Sequence, residues 1–89
     1  MKSDCLVIGD LNVDIIMGNI NGFLELGKEI IAKNCLATIG GSGGIFTTVL
    51  SKLGIQTTII SKIGNDFFGN FLINEMKKFG VNTNSIIVK

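Results

Sequence analysis

Apolar positions along this chain follow two rhythms. Short aliphatic and β-branched runs at Cys5–Ile8 and Ile55–Ile63 predict buried strands of the kind found in parallel sheets, and Ile86–Val88 begins a further strand. Ile45, Phe46, Val49, Leu50 and Leu53 recur instead at helical spacing. They form an apolar stripe of the kind that faces a core, with Gly54 placed to end the helix in the left-handed conformation. Phe68, Leu72, Met76 and Phe79 make a second stripe, with Asp66 as its N-cap and Gly80 as its stop. Val13, Ile15, Ile16 and Met17 predict a further extended piece. Residues 18–27 are turn-rich, and 29–39 mix polar and apolar residues without a helical period, as strands exposed on one side do. Asn82–Ser85 reads as a loop. The second half thus alternates helix, strand, helix, strand, which is the signature of an α/β fold with parallel strands.

Composition narrows the chemistry. Of 89 residues, 46% are apolar, enough for a core. A chain this size buries only roughly 60–65% of its unfolded surface, so its stability margin is thin. The net charge of +1 offers no basic excess for nucleic acid or a membrane surface. There is no His, Arg, Trp, Tyr or Pro, which removes a His general base, a Cys–His pair, a His metal site and an arginine finger. Cys5 and Cys35 lie far apart and form no CxxC; both are expected to be reduced, buried thiols of a cytoplasmic protein. No signal peptide is expected at the amino terminus, and no apolar run approaches the ~18 residues of a membrane span.

The densest punctuation is Gly40-Gly41-Ser42-Gly43-Gly44, ahead of the first predicted helix. Glycines there let backbone approach a ligand, and amides opening a helix can hold anionic or hydroxyl oxygens. Tight packing of helix on strand is the alternative reason for them. No GK[ST] follows, so a Walker A loop is excluded. A dinucleotide fingerprint fails as well: Phe46 sits at its third small position and no acid lies ~20 residues on. Gly9-Asp10-Leu11-Asn12-Val13-Asp14 follows the first strand, at the end where open α/β sheets place ligands. A carboxylate at Asp14 can accept hydrogen bonds from two sugar hydroxyls; a solvated turn acid is the plain alternative. Lys77 and Lys78 suit a helix C-terminus.

The ordered set Gly9–Asp14, Gly27-Lys28-Glu29, Gly40–Gly44, Leu53-Gly54, Ile63–Gly69 and Phe79-Gly80-Val81 resembles the amino-terminal part of the PfkB (ribokinase-like) carbohydrate kinases, over essentially all of residues 1–89. The resemblance implies a partial ribokinase-like α/β fold, with a parallel sheet, flanking helices and a small β-lid from about Val13 to Ile39. It implies a sugar- or nucleoside-binding role for Asn12 and Asp14, with Gly40, Gly41, Ser42, Gly43 and Gly44 lining the pocket. Ile45 departs from the family, which has a substrate-contacting Asn at that position.

In the family, the catalytic aspartate, the anion-hole glycines and the ATP site belong to the carboxyl-terminal part. None of Asp4, Asp10, Asp14 and Asp66 corresponds to that base. These residues are therefore expected to carry no catalytic group, metal site or cofactor of their own, and to be inactive alone. ATP and Mg²⁺ are implied for a full-length member. The implied partners are a sugar or nucleoside, with either a missing carboxyl-terminal half or a homodimer through the lid. The alternative is a stand-alone, non-catalytic module that binds a small ligand or pairs with a subunit.

Overall fold

A computed structural model describes residues 3–20 and 32–89. Gly27-Lys28-Glu29, and most of the stretch expected to be turn-rich, lie outside the described residues. The elements run β1 (Cys5–Ile8), β2 (Asn12–Ile20), β3 (Ala32–Gly40), α1 (Ser42–Lys52), β4 (Thr57–Ile63), α2 (Phe67–Lys78) and β5 (Ile86–Val88). The three short strands form a parallel sheet in the order β1-β4-β5, as the α/β alternation predicts. β2 and β3 pair antiparallel in a separate ribbon, from Asn12 opposite Gly40 to Ile20 opposite Ala32. β2 is longer than the predicted Val13–Met17, since pairing with β3 carries Gly18 into the strand.

Parallel register places Val7 beside Ile59 and Ile63 beside Val88. Val7, Ile59 and Ile63 join Leu72 and Met76 of α2 in one core that also holds Leu11 and Val81. The opposite face of the sheet is open over β1: Leu6 is 56% exposed and Ile8 74%, although Thr58 beside Leu6 is buried. The expectation that the first strand is buried on both faces is therefore corrected. Side chains alternate across a strand, and the two helices share one core, so only Val7 of β1 is sealed.

The predicted helices both form, but α1 is rotated away from its expected seat. Its buried residues are Gly43, Gly44 and Thr47; of the predicted stripe only Leu50 packs against the core, while Ile45, Phe46, Val49 and Leu53 stay exposed. The reason is proximity. A Cβ on Gly43 would lie 2.8 Å from the Asp10 carbonyl oxygen, and one on Gly44 would lie 2.9 Å from both Leu11 Cδ1 and Ile39 Cγ2. Small residues let α1 approach closely, and no apolar branch fits in that contact.

α2 follows its sequence pattern at Leu72 and Met76, but Phe68, the first member of the predicted stripe, is 44% exposed. Leu72 and Met76 are buried, and Asp66 caps the helix by accepting the Gly69 N–H at 2.8 Å. Gly54 and Gly80 end the two helices at φ 83° and 76°. Lys78 pairs with Glu75 at 3.4 Å in the last turn. The expectation of two buried thiols fails, because Cys35 is exposed and Cys5 only half-buried. Cys35 lies opposite Met17 on the ribbon, where no helix covers it.

Candidate functional site

The candidate residues come from three separate stretches, and the fold gathers them where the ribbon meets the first turn of α1. Antiparallel register sets Asn12 opposite Gly40 and Asp14 opposite Thr38. The Asp14 carboxylate lies directly against Gly40, so that a Cβ at residue 40 would overlap it. A Cβ on Gly41 would lie 3.2 Å from Asn12 Nδ2 and 2.7 Å from the Asp10 carbonyl, and φ at Gly41 is 81°. Glycine is thus required at residue 41 by both conformation and space. Asn12, Asp14 and Ser42 are exposed, and Gly40, Gly43 and Gly44 are buried.

The glycine cluster therefore has two structural duties. Gly43 and Gly44 admit α1 to the end of β1, and the Gly44 N–H donates to the Asp10 carbonyl at 2.8 Å. Gly40 and Gly41 make room for Asp14 and Asn12. No hydrogen bond from a described residue engages the Asp14 carboxylate, whereas Asp66 is taken by its helix cap. Asp14 is thus an accessible acceptor able to receive two donors, and Asn12 beside it carries both an acceptor and donors.

Two clefts flank this junction. One, of about 320 Å³, is lined by Asn12, Val13 and Ile15 of β2 and by Lys62, Asp66 and Phe68. The other, of about 360 Å³, runs between the helices from Thr38 and Ile45 to Lys52, Glu75 and Phe79. Of the seven candidate residues, Asn12 alone lines a cleft; the other six lie at the junction between the two. Thr38 and Lys62 escaped the sequence reading. Only strand register reveals that Thr38 faces Asp14, whereas Lys62 could have been noticed as the polar residue next to Ile63-Gly64 at the carboxyl end of a strand.

The donor set does not fit a divalent metal or a nucleotide. No three His, Cys, Asp or Glu side chains converge among the described residues. The loop amide of Gly44 is engaged by Asp10, and Ile45, not a lysine, directly follows the glycines. No helix among the described residues is long and apolar enough to cross a membrane.

Residues 2–89 match the family described as pfkB family carbohydrate kinase. The chain belongs to this family. Solved kinases share its fold. A ribokinase from Cryptococcus neoformans var. grubii serotype A, solved in complex with ADP, is 24% identical with a TM-score of 0.79; the match covers 99% of this chain and 27% of that one. A fructokinase from Halothermothrix orenii is 28% identical, TM-score 0.78, over 97% of this chain and 29% of that one. An uncharacterized sugar kinase from Pyrococcus horikoshii is 30% identical, TM-score 0.76, over 96% and 27%. The chain thus spans between 27% and 29% of the length of these kinases. No curated protein matches it in sequence. The α/β sheet with two helices is the pfkB-family fold, as the ordered motifs imply.

Proposed function

We propose that these residues form the sugar- or nucleoside-binding side of an ATP-dependent carbohydrate kinase. The observation that carries this reading is the accessible Asp14 carboxylate, set against Gly40 and beside Asn12. A carboxylate that accepts two hydrogen bonds, carried near the start of β2 just after the chain leaves the carboxyl end of β1, suits a vicinal pair of hydroxyls. Gly41 and Ser42 border the same junction. The β2–β3 ribbon acts as a lid over the bound sugar, rooted in the core through Val13 and Ile39. Phosphoryl transfer to a sugar hydroxyl needs a placed phosphate donor, commonly with Mg²⁺, and a base near the attacking oxygen. The described residues fit none of these, so the 89-residue chain binds sugar without phosphorylating it. Its reduced thiols, Cys5 and Cys35, suit a cytoplasmic setting.

The test is calorimetric titration with a panel of pentoses, hexoses and nucleosides, run beside Asp14→Ala. Saturable binding of at least one sugar is expected, with loss of that binding in the variant and an unchanged circular dichroism spectrum. Equal binding by both proteins would remove Asp14 from the site. A coupled assay of ATP consumption should stay at background with the chain alone, and sustained turnover would refute that part.

A second reading, a non-catalytic subunit-pairing module, draws on the exposed sheet face of Leu6, Ile8 and Ile87. A parallel sheet is normally covered on both faces. A concentration-dependent mass in sedimentation, with no sugar bound, would favour it.

A further inference from the structure

The β2–β3 ribbon has two faces, and its register, with side chains alternating along each strand, assigns residues to each. Val13, Ile15 and Ile39 share one face. Val13 and Ile39 pack against the core, and Val13 and Ile15 line the cleft beside Phe68 and Leu72 of α2. The other face carries Asp14 and Thr38 at its root, with the Asp14 carboxylate against Gly40. One rung further out, Ile16 pairs with Leu36 on this same face. Ile16 is 54% exposed and Leu36 60%, so the core accounts for neither. This face is therefore polar beside the glycine loop and apolar one rung beyond it.

We infer that the ligand held by Asp14 is a nucleoside, with its ribose hydroxyls on the carboxylate and its base laid over Ile16 and Leu36. The inference rests on the sugar- or nucleoside-binding reading above and selects between its two classes. Residues two apart on a strand are separated by about 7 Å, comparable to the distance from the 2′ and 3′ hydroxyls of a ribose to the middle of a base on its C1′. A free pentose or hexose carries a hydroxyl on nearly every carbon. Extended over this rung, it sets a hydroxyl against two side chains that offer no partner. A planar base instead removes apolar surface from water on both sides of the contact, for about a tenfold gain in affinity. Neither Ile16 nor Leu36 has a donor or acceptor, so this contact holds purine and pyrimidine alike.

Calorimetric titration of the full 89-residue chain tests this. The probes are adenosine, inosine and uridine, each against methyl β-D-ribofuranoside, which keeps the ribose ring and lacks the base. At least one nucleoside should bind about tenfold or more tightly than the glycoside. Ile16→Ser and Leu36→Ser should each bring the two affinities closer and leave that of the glycoside unchanged. Met17→Ser, at an exposed residue of the opposite face, should keep the ratio. Circular dichroism verifies that all three variants fold. A glycoside that binds as tightly as every nucleoside overturns the inference, as does a ratio unmoved by both ribbon variants; the binding of a sugar at Asp14 then still stands. No binding of any nucleoside or of the glycoside, with no free sugar bound either, overturns the reading at Asp14 and the inference with it.

Discussion

Two side chains with opposite bookkeeping illustrate the residue scale. Asp66 satisfies an otherwise unpaired helix amide, since its carboxylate accepts the Gly69 N–H at 2.8 Å. Replacing it with Ala should lower the unfolding free energy by about 1 kcal/mol, within the usual 0.5–2 kcal/mol of an N-cap, measured by urea denaturation. Thr47 is the converse case. It is fully buried on α1, and its hydroxyl has no hydrogen-bond partner among the described residues. Valine has nearly the same shape and no polar atom to desolvate, so Thr47→Val should raise stability by about 1 kcal/mol. A lower denaturation midpoint for that variant would show that the hydroxyl has a partner in solution. The cap at Asp66 was legible in the sequence, because capping is local chemistry. The orphaned hydroxyl at Thr47 was not, because the apolar stripe drawn through Ile45, Phe46, Val49, Leu50 and Leu53 does not include residue 47.

At the scale of the element, the two helices differ in what positions them. α2 presents Leu72 and Met76 to the core, so its own apolar spacing sets its rotation. α1 is set by closeness: the backbone at Gly43 lies against Gly9 and Asp10, and a larger neighbour would lever the helix off β1. Gly43→Ala should therefore destabilise the chain by about 1–3 kcal/mol, as overpacking does. It should also displace the loop from Gly40 to Ser42 and weaken sugar binding. Phe46→Ser, on the exposed side of the same helix, should change stability by no more than about 0.5 kcal/mol. Thermal melts of the pair separate the two seats of α1; equal losses would return the apolar stripe to the core. The sequence located both helices, but periodicity could not tell which side of α1 would be buried.

Across the whole molecule, the sheet is clothed on one side. Val7, Ile59 and Ile63 are sealed under the helices, while Leu6, Ile8 and Ile87 remain open on the other face. An apolar patch of this kind drives association. Ile8→Lys should leave the melting temperature nearly unchanged, because the residue is 74% exposed. The same substitution should reduce binding of an environment-sensitive apolar dye and shift sedimentation toward the monomer. A large drop in melting temperature would mean that this face is packed in solution.

The sequence by itself determined the order of elements, the caps and stops of both helices, and the family. Each of these depends on residues near one another in the chain, or on motifs whose order survives without coordinates. Tertiary structure alone decided that α1 seats its first turns through Gly43, Gly44 and Thr47 and keeps only Leu50 of its apolar stripe against the core, that Cys35 is exposed, and that Asp14 rests on Gly40 opposite Thr38. Those facts depend on register and on the distance between backbones far apart in sequence. Hydrophobic spacing carries no information about either.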